Sequence, residues 1–424
     1  MAGTRVAVIV LGDIGRSPRM QYHAASLRSH GAEVDLIGCG DTPLHPSLRD
    51  DPGVTTHWIA DASGSQGRAG IYGLKQLFSA VWRFLRLGWQ LVRTLIAVTR
   101  QSTILLVQNP PALPTLPIVC AVARWRSVPL IIDWHNFGES MLALRLGRQH
   151  PVVRFAGWIE AACGRLATAH LCVSRAMQEE LAAGWRIRAE VLHDRPAAPF
   201  VRTPVAERAT LFARLPEFSD YDPQGTPRPA LIVSSTSWTP DEDFTLLVDA
   251  LAQCDQHLRR AFGDGKPLWM VVITGRGALR PHYEEEFRRR NLGRVVVRTA
   301  WLSAEDYPLL IGSADVGLCL HRSASGFDLP MKVSDMLGAG LPVCAFDYGP
   351  CLRELIQPGV NGLLFGDAAG LAARLIEILG GFPTCELEGL RRRLAQQPIV
   401  RWDDEWCRTA LPLFAQLAAL PKLS

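Results

Sequence analysis

The chain has 424 residues, carries a net charge of +4, and is 48% hydrophobic and 20% charged. That length needs more than one core, that apolar fraction excludes an intrinsically disordered chain, and so small a charge excludes a nucleic-acid-binding protein unless basic residues cluster locally. Ten cysteines are scattered without a CxxC pair, several of them inside apolar runs such as Leu171-Cys172-Val173, and there is no Asn-x-Ser/Thr sequon. This points away from a zinc or dithiol site and towards buried thiols in a reducing compartment.

The first apolar run, Val6–Leu11, is too short for a signal-peptide core or a membrane span. It predicts a buried strand on which the chain starts directly, without leader or anchor. The loop Gly12-Asp13-Ile14-Gly15-Arg16-Ser17-Pro18-Arg19 follows, then a helix to about Ser29 that Gly31 stops, then a strand over Val34–Ile37. Gly12 and Gly15 allow tight turning, and the N–H groups of the following helix attract anions, to which Arg16 and Arg19 add charge. The loop is therefore a candidate phosphate or diphosphate cradle, or else a plain strand-to-helix turn. It is neither G-x-G-x-x-G nor a Walker loop, which lowers dehydrogenase and kinase readings.

From Ala62 to Ile132 there is no acidic residue, but there are eight basic ones. Within this segment Leu74, Leu77, Phe78, Val81, Trp82, Leu85, Trp89, Val92 and Ile96 recur at helical spacing. Lys75, Arg83, Arg86 and Arg93 take the other side. An amphipathic helix with aromatics on one face and only cations on the other suits the headgroup boundary of an anionic leaflet, with Trp82, Arg83, Arg86, Trp89 and Arg93 as contacts. Four charges within 75–93 argue against a span. An inter-strand helix docked on a sheet is the alternative.

Further strands are expected at Ile104–Val107, Leu130–Asp133 and Ala169–Val173. Prolines at 196, 199, 204, 216, 223, 227 and 229 mark a boundary. The second half repeats the pattern: strand Leu231–Ser235, a helix to about Ala261, Trp269–Thr274, a helix near Pro281–Arg290, Val295–Val297, Val316–Leu320 and Pro342–Phe346. Alternating helices and continuous apolar strands predict two doubly wound α/β domains of Rossmann type, with ligands at the carboxyl ends of the strands in the cleft between them. We assign residues 1–200 to an N-terminal, membrane-facing domain, 201–229 to a proline-rich linker, 230–400 to a second Rossmann-type domain, and 401–424 to a helix returning to the first domain.

His135, in Asp133-Trp134-His135-Asn136 at the end of a buried strand, can take a proton from an acceptor hydroxyl or simply satisfy a structural hydrogen bond. Asp133 orients it or serves as base instead. Gly275, Arg276 and Gly277 follow a strand of the second half, where the backbone can approach a ligand and Arg276 can neutralise a diphosphate. In Asp328-Leu329-Pro330-Met331-Lys332, followed by Asp335, the acids can accept from sugar or ribose hydroxyls while Lys332 meets phosphate; the alternative is a loop with helix-capping acids. Asp241-Glu242-Asp243 resembles a metal-binding DxD, but its place after Pro240 at a helix start marks it as capping, so no metal site is assigned.

Six strings in order along nearly the whole chain resemble one family: residues 12–23, Gln108–Pro111, Asp133–Asn136, Ser234–Phe244, Ala304–Leu310 and Asp328–Val333. They resemble the chitobiosyldiphosphodolichol beta-mannosyltransferases. The resemblance implies a GT-B fold, with the acceptor served by residues 1–200 and the nucleotide sugar bound by residues 230–400, and inverting transfer of mannose from GDP-mannose to GlcNAc2-diphosphodolichol, forming a beta-1,4 bond. It implies no tightly bound cofactor, divalent-cation stimulation at most without a dedicated site, a membrane surface and other mannosyltransferases of the pathway as partners, and no nucleic acid. The expected place is the cytosolic face of the endoplasmic reticulum, or of the plasma membrane if the source is not eukaryotic. In the resemblance His135 is the leading base and Asp13 its competitor. The chain departs from the Glu-x7-Glu pattern of related enzymes: Phe327 stands at the first position and Asp335 at the second, with Asp328 taking over part of the first role. The rivals are another membrane-associated GT-B transferase with a different donor or polyprenyl-linked acceptor, a GT-B-shaped sugar-nucleotide epimerase, and a non-catalytic subunit.

Overall fold

The computed structural model describes residues 1–59, 74–218, 220–225, 227–238 and 242–420, and of 74–81 the backbone alone. The chain divides into two compact units, Met1–His193 with Asp403–Ser424, and Asp194–Trp402.

The first unit is built on seven parallel strands, β1 (Arg5–Asp13), β2 (Glu33–Cys39), β3 (Val54–Trp58), β4 (Ile104–Asn109), β5 (Leu130–Trp134), β6 (Ala169–Cys172) and β7 (Glu190–Val191), ordered β3-β2-β1-β4-β5-β6-β7. In the middle of the sheet Val8 is in register with Leu36 on one side and Leu106 on the other. The strands read as unbroken apolar runs because helices cover both faces. The strand order reverses between β1 and β4, so the loops that follow them diverge and leave a crevice at their carboxyl ends.

The second unit has six parallel strands, β8 (Ala230–Ser235), β9 (Trp269–Thr274), β10 (Val295–Ala300), β11 (Val316–Cys319), β12 (Val343–Phe346) and β13 (Gly362–Phe365), ordered β10-β9-β8-β11-β12-β13. Alternate residues serve opposite faces. Ala230 and Ile232 join one buried cluster with Phe244, Leu247 and Leu251, while Leu231 and Val233 join another with Phe212, Leu310 and Met336. Here the order reverses between β8 and β11.

The boundary differs from the sequence expectation. Residues 201–229 are not a linker: they carry the helix Val205–Arg214 and the turn Pro216–Phe218, and Leu211, Phe212, Phe218 and Tyr221 are buried with β8 in the second unit. Pro204 caps that helix and Pro216 opens the turn, so these prolines begin elements rather than mark loose chain. The helix Trp402–Ala418 belongs to the first unit from Asp403 on, where Trp406 and Phe414 are fully buried.

The helix Leu74–Val98 docks through a stripe different from the one its pattern suggests. Leu91, Leu95 and Val98 are buried, and Gly88 lies against Ile118 of the helix Thr115–Arg126. Trp82, Phe84, Leu85 and Trp89 stay exposed, Trp89 at 62%. The side chains of Leu74, Lys75, Leu77, Phe78 and Val81, and the acid-free stretch from Ala62 to Gly73, lie outside the described residues.

Candidate active site

In the first unit the site grows from the carboxyl end of β5. Strand alternation turns Asp133 towards the helix Pro18–Ser29, and there it is fully buried. Arg19 closes on it with two hydrogen bonds, Nε to Oδ2 at 2.8 Å and Nη2 to Oδ1 at 2.9 Å, and gives Nη1 to the Leu192 carbonyl. His23 Nε2 lies 3.2 Å from Oδ2, and its Nδ1 accepts from the Trp406 indole at 3.0 Å. Indole only donates, so His23 carries its proton on Nε2 and donates to Asp133. Burial lowers the His23 pKa and keeps the ring neutral. Burial alone would raise Asp133, but Arg19 and His135 outweigh it and hold the carboxyl well below the usual range.

His135 Nε2 lies 2.9 Å from Asp133 Oδ2, and its backbone N–H donates to the Asn109 carbonyl at 2.8 Å. An ionised carboxylate can only accept, so His135 Nε2 donates to it, which in the neutral imidazole leaves the Nδ1 lone pair for another donor. The ring is partly open to solvent. This is the arrangement of a general base: a histidine held in one tautomer by a buried anion. Asp133 itself is sealed from solvent and hydrogen-bonded by three side chains, Arg19, His23 and His135.

One expectation is corrected here. Arg19 is not part of an anion cradle, because the Asp133 pair consumes its guanidinium inside the protein. The half-buried Asp13 carboxylate braces the loop, accepting from the N–H of Gly15 at 3.1 Å, the N–H of Thr42 at 3.1 Å and the Thr42 hydroxyl at 2.5 Å. Of the remaining loop residues, Gly12 is only half-buried and Arg16 is exposed.

A third acid, passed over in the sequence, holds this loop from behind. Glu160, fully buried on the helix Pro151–Gly164, accepts from Asn109 Nδ2 at 2.5 Å, Gly138 N–H at 2.8 Å and Glu139 N–H at 3.0 Å. Asn109 Nδ2 also donates to the Asn136 carbonyl at 3.1 Å. The chain on both sides of His135 is thereby fixed. Burial pushes Glu160 up to about 7 against the pull of these donors. A lone glutamate in a helical pattern carries no signal of this; only its apolar spacing with Val153, Ala156 and Cys163 does.

In the second unit the loops after β8, β9 and β11 pack on one another. Gly275 has φ +136°, and a Cβ there would sit 1.8 Å from the Thr236 carbonyl; one on Gly277 would sit 2.0 Å from that of Ser237. Glycine is required at both because two backbones touch. Arg276 is exposed and stacks on Trp301 at 4.3 Å. Lys332, in the first turn of the helix Met331–Gly338, reaches Glu242 at 3.1 Å, and Glu242 also takes the Thr236 hydroxyl. Glu242 is therefore a buried hub rather than a capping acid. Asp243 does cap the helix Phe244–Phe262, accepting from Thr245 N–H; Asp241 lies outside the described residues.

Asp328 accepts from His321 Nε2 at 3.0 Å and from the Ser323 hydroxyl, and its carbonyl takes the Tyr348 hydroxyl, so it shapes the loop that carries Leu329, Pro330 and Met331. Burial and the neighbouring Asp194 push Asp335 well above the usual carboxylate range. Among the described residues no group of three or more His, Cys, Asp or Glu is arranged to hold a metal ion, and no helix is long and apolar enough to cross a membrane.

Two Rossmann-type units, one bearing an oriented histidine and the other glycine-tight loops with cations beyond the carboxyl ends of its strands, define a GT-B glycosyltransferase. Residues 15–198 match the glycosyl transferase 4-like domain and residues 228–380 the glycosyl transferases group 1 domain. The fold is similar to sucrose-phosphate synthase from Thermosynechococcus elongatus, with a TM-score of 0.68 at 17% identity over 98% of this chain and 99% of that one. Mouse chitobiosyldiphosphodolichol beta-mannosyltransferase is 41% identical over 98% of this chain and 90% of its own length, and the Arabidopsis thaliana relative named UDP-glycosyltransferase TURAN is 40% identical over 98% of each. The chain belongs to the chitobiosyldiphosphodolichol beta-mannosyltransferase family.

Proposed function

We propose that this enzyme moves mannose from GDP-mannose to the terminal GlcNAc of GlcNAc2-diphosphodolichol with inversion, working at the cytosolic face of the endoplasmic reticulum, or of the plasma membrane in a non-eukaryotic source. His135 Nδ1 removes the proton from the acceptor 4-hydroxyl as that oxygen attacks the anomeric carbon, and the bond to GDP breaks from the opposite side. The imidazolium that forms is stabilised by Asp133, already ionised and hydrogen-bonded to Nε2. Arg276, Lys332 and the N-terminus of the helix Met331–Gly338 offset the charge that develops on the departing diphosphate. Arg16 is a further exposed cation for the diphosphates. The observation that carries the reading is the buried Asp133 behind a part-exposed His135.

Membrane association is part of the same reading. The acceptor is lipid-borne, and Trp82, Arg83, Arg86, Trp89 and Arg93 lie in a helix whose core contacts are made by other residues, with Arg86 over the Trp82 ring and Arg93 over the Trp89 ring.

The test is transfer from radiolabelled GDP-mannose to synthetic phytanyl-diphosphate-GlcNAc2. We expect label in the lipid phase and a loss of kcat on the order of 10²–10⁴-fold in His135→Ala. No label with GDP-mannose would end the reading. Because one relative is named a UDP-glycosyltransferase, UDP-sugars are run in parallel, and label from one of those alone would assign a different donor.

A further inference from the structure

Immediately after the His135 loop the chain forms a two-helix hairpin, Gly138–Leu146 and Pro151–Gly164. Its inner side is packed: Val153, Ala156, Gly157, Glu160 and Cys163 are buried at helical spacing. Its outer side is apolar and bare. Met141, Leu144, Val152, Phe155 and Trp158 are exposed, with Leu144 and Trp158 both at 65%, and the Phe155 and Trp158 rings stack with centroids 6.1 Å apart. Residues 140–159 contain no acid, and Arg145, Arg148 and Arg154 are exposed among the apolar side chains.

We infer that this hairpin is a second lipid-docking element, one that sets the height of His135 over the leaflet. The inference rests on the lipid-borne acceptor of the reading above. Helices of nine and fourteen residues are too short to cross a bilayer. Aromatic and aliphatic residues interleaved with arginines alone are the composition of a surface that enters the headgroup layer of an anionic leaflet. A second copy of the chain fits worse, because a two-fold contact through this face would bring like-charged arginine sets together. The helix Thr115–Arg126 packs on both this hairpin and the helix Leu74–Val98 and carries a further exposed aromatic, Trp125, beside Arg126.

The coupling to chemistry runs through Glu160. It lies on the inner side of the hairpin and holds the N–H groups of Gly138 and Glu139 and the Asn109 amide, which flank His135. A surface seated in lipid is thereby tied to the base by a few buried hydrogen bonds. The polyprenyl diphosphate cannot leave the membrane, so a fixed distance between headgroup plane and imidazole is what transfer to it requires.

The experiment uses the full chain with Phe155→Glu and Trp158→Glu together, both on the bare face, and the Arg83→Glu, Arg86→Glu and Arg93→Glu variant as a separate series. Sedimentation with phosphatidylcholine vesicles holding 30% phosphatidylserine, about the anionic share that binds basic surfaces, is measured beside two rates of transfer. One acceptor is a long-chain polyprenyl-diphosphate chitobiose in those vesicles; the other is a short-chain, water-soluble analogue without vesicles. We expect the hairpin variant to lose roughly tenfold or more of vesicle binding and of the embedded-acceptor rate, while its soluble-acceptor rate stays within about twofold. Wild-type vesicle binding in that variant overturns the inference, and so does an equal loss on both acceptors, which would place the residues in catalysis or folding. Wild-type vesicle binding with a dimer broken to monomers would make the face a contact between copies. If the wild type transfers to neither acceptor, the mannosyltransferase reading fails, and the vesicle arm still decides the docking.

Discussion

The Arg19 guanidinium and the Asp133 carboxylate, 114 residues apart in sequence, meet in a two-point ion pair from which solvent is almost wholly excluded. Each offsets the other's loss of hydration, and the result is a carboxylate held ionised behind His135. Arg19→Met keeps the stem but strands that anion, and removal of one partner of a buried pair costs about 3–5 kcal/mol. We expect a clear fall in the thermal midpoint. Asp133→Asn keeps the shape but removes the charge that fixes the His135 tautomer; kcat should fall on the order of 10²–10⁴-fold with little change in the KM for donor. An Asp133→Asn enzyme of normal rate would remove His135 from the mechanism.

The same pair sets an acid limit. The folded pKa of Asp133 lies below the unfolded value of about 3.9, so its contribution is present above about pH 4 and is lost as pH falls through the folded value. Asp133→Asn should flatten the acid limb of a stability profile, read as the thermal midpoint from about pH 4 downward. Parallel limbs in wild type and variant would contradict this.

Glu160 has the opposite sign. Its folded pKa of about 7 stands above the unfolded value of about 4.3, so the stability it contributes is complete below about pH 4.3 and is lost as pH rises through about 7. Glu160→Gln cannot lose a proton, and it presents an amide to one of three N–H donors, at a cost of about 1–3 kcal/mol for the donor left unpaired. The stability gap between wild type and Glu160→Gln should therefore narrow from pH 5 to pH 8. A constant gap in thermal midpoint would mean that Glu160 does not titrate in this window.

Lys332 faces two demands. It neutralises Glu242, which is only 4% exposed, and as proposed it meets the diphosphate with its remaining N–H groups. Lys332→Ala should lower kcat/KM for GDP-mannose roughly ten- to hundred-fold, the value of one charge-assisted contact of about 1.5–3 kcal/mol, and also lower the thermal midpoint. Adding Glu242→Gln removes the stranded charge, and should restore the midpoint but not the rate. A rate restored together with the midpoint would make the lysine purely structural.

Arg83→Glu, Arg86→Glu and Arg93→Glu together should release the protein from anionic vesicles. Each cation near such a surface contributes about 1 kcal/mol, so three reversals lower the partition coefficient on the order of 10²-fold or more. Unchanged sedimentation would return the helix Leu74–Val98 to an ordinary solvated role.

Much of the fold was legible because its signals are local. Ala230–Ser235 and Trp269–Thr274 read as strands since continuous apolar runs are what a sheet covered on both faces demands. The loop ends that bear His135, Arg276 and Lys332 followed from where those runs stop. Prolines misplaced the boundary, because Pro204 and Pro216 start a helix and a turn that the second core absorbs. The helix Leu74–Val98 has apolar residues on more than one line, and which line turns inward depends on Ile118 of a neighbouring helix, not on its own period.

By itself the sequence determined two Rossmann-type domains, a histidine at a strand end and an acid-free amphipathic helix, since each is written in residues close together in the chain. Tertiary structure alone decided that Arg19 faces Asp133 rather than phosphate, that Glu242 faces Lys332, and that Glu160 holds the chain around His135. Those outcomes depend on burial and on partners 114, 90 and 22 residues away, respectively. A charge removed from water must find its partner wherever the fold brings one.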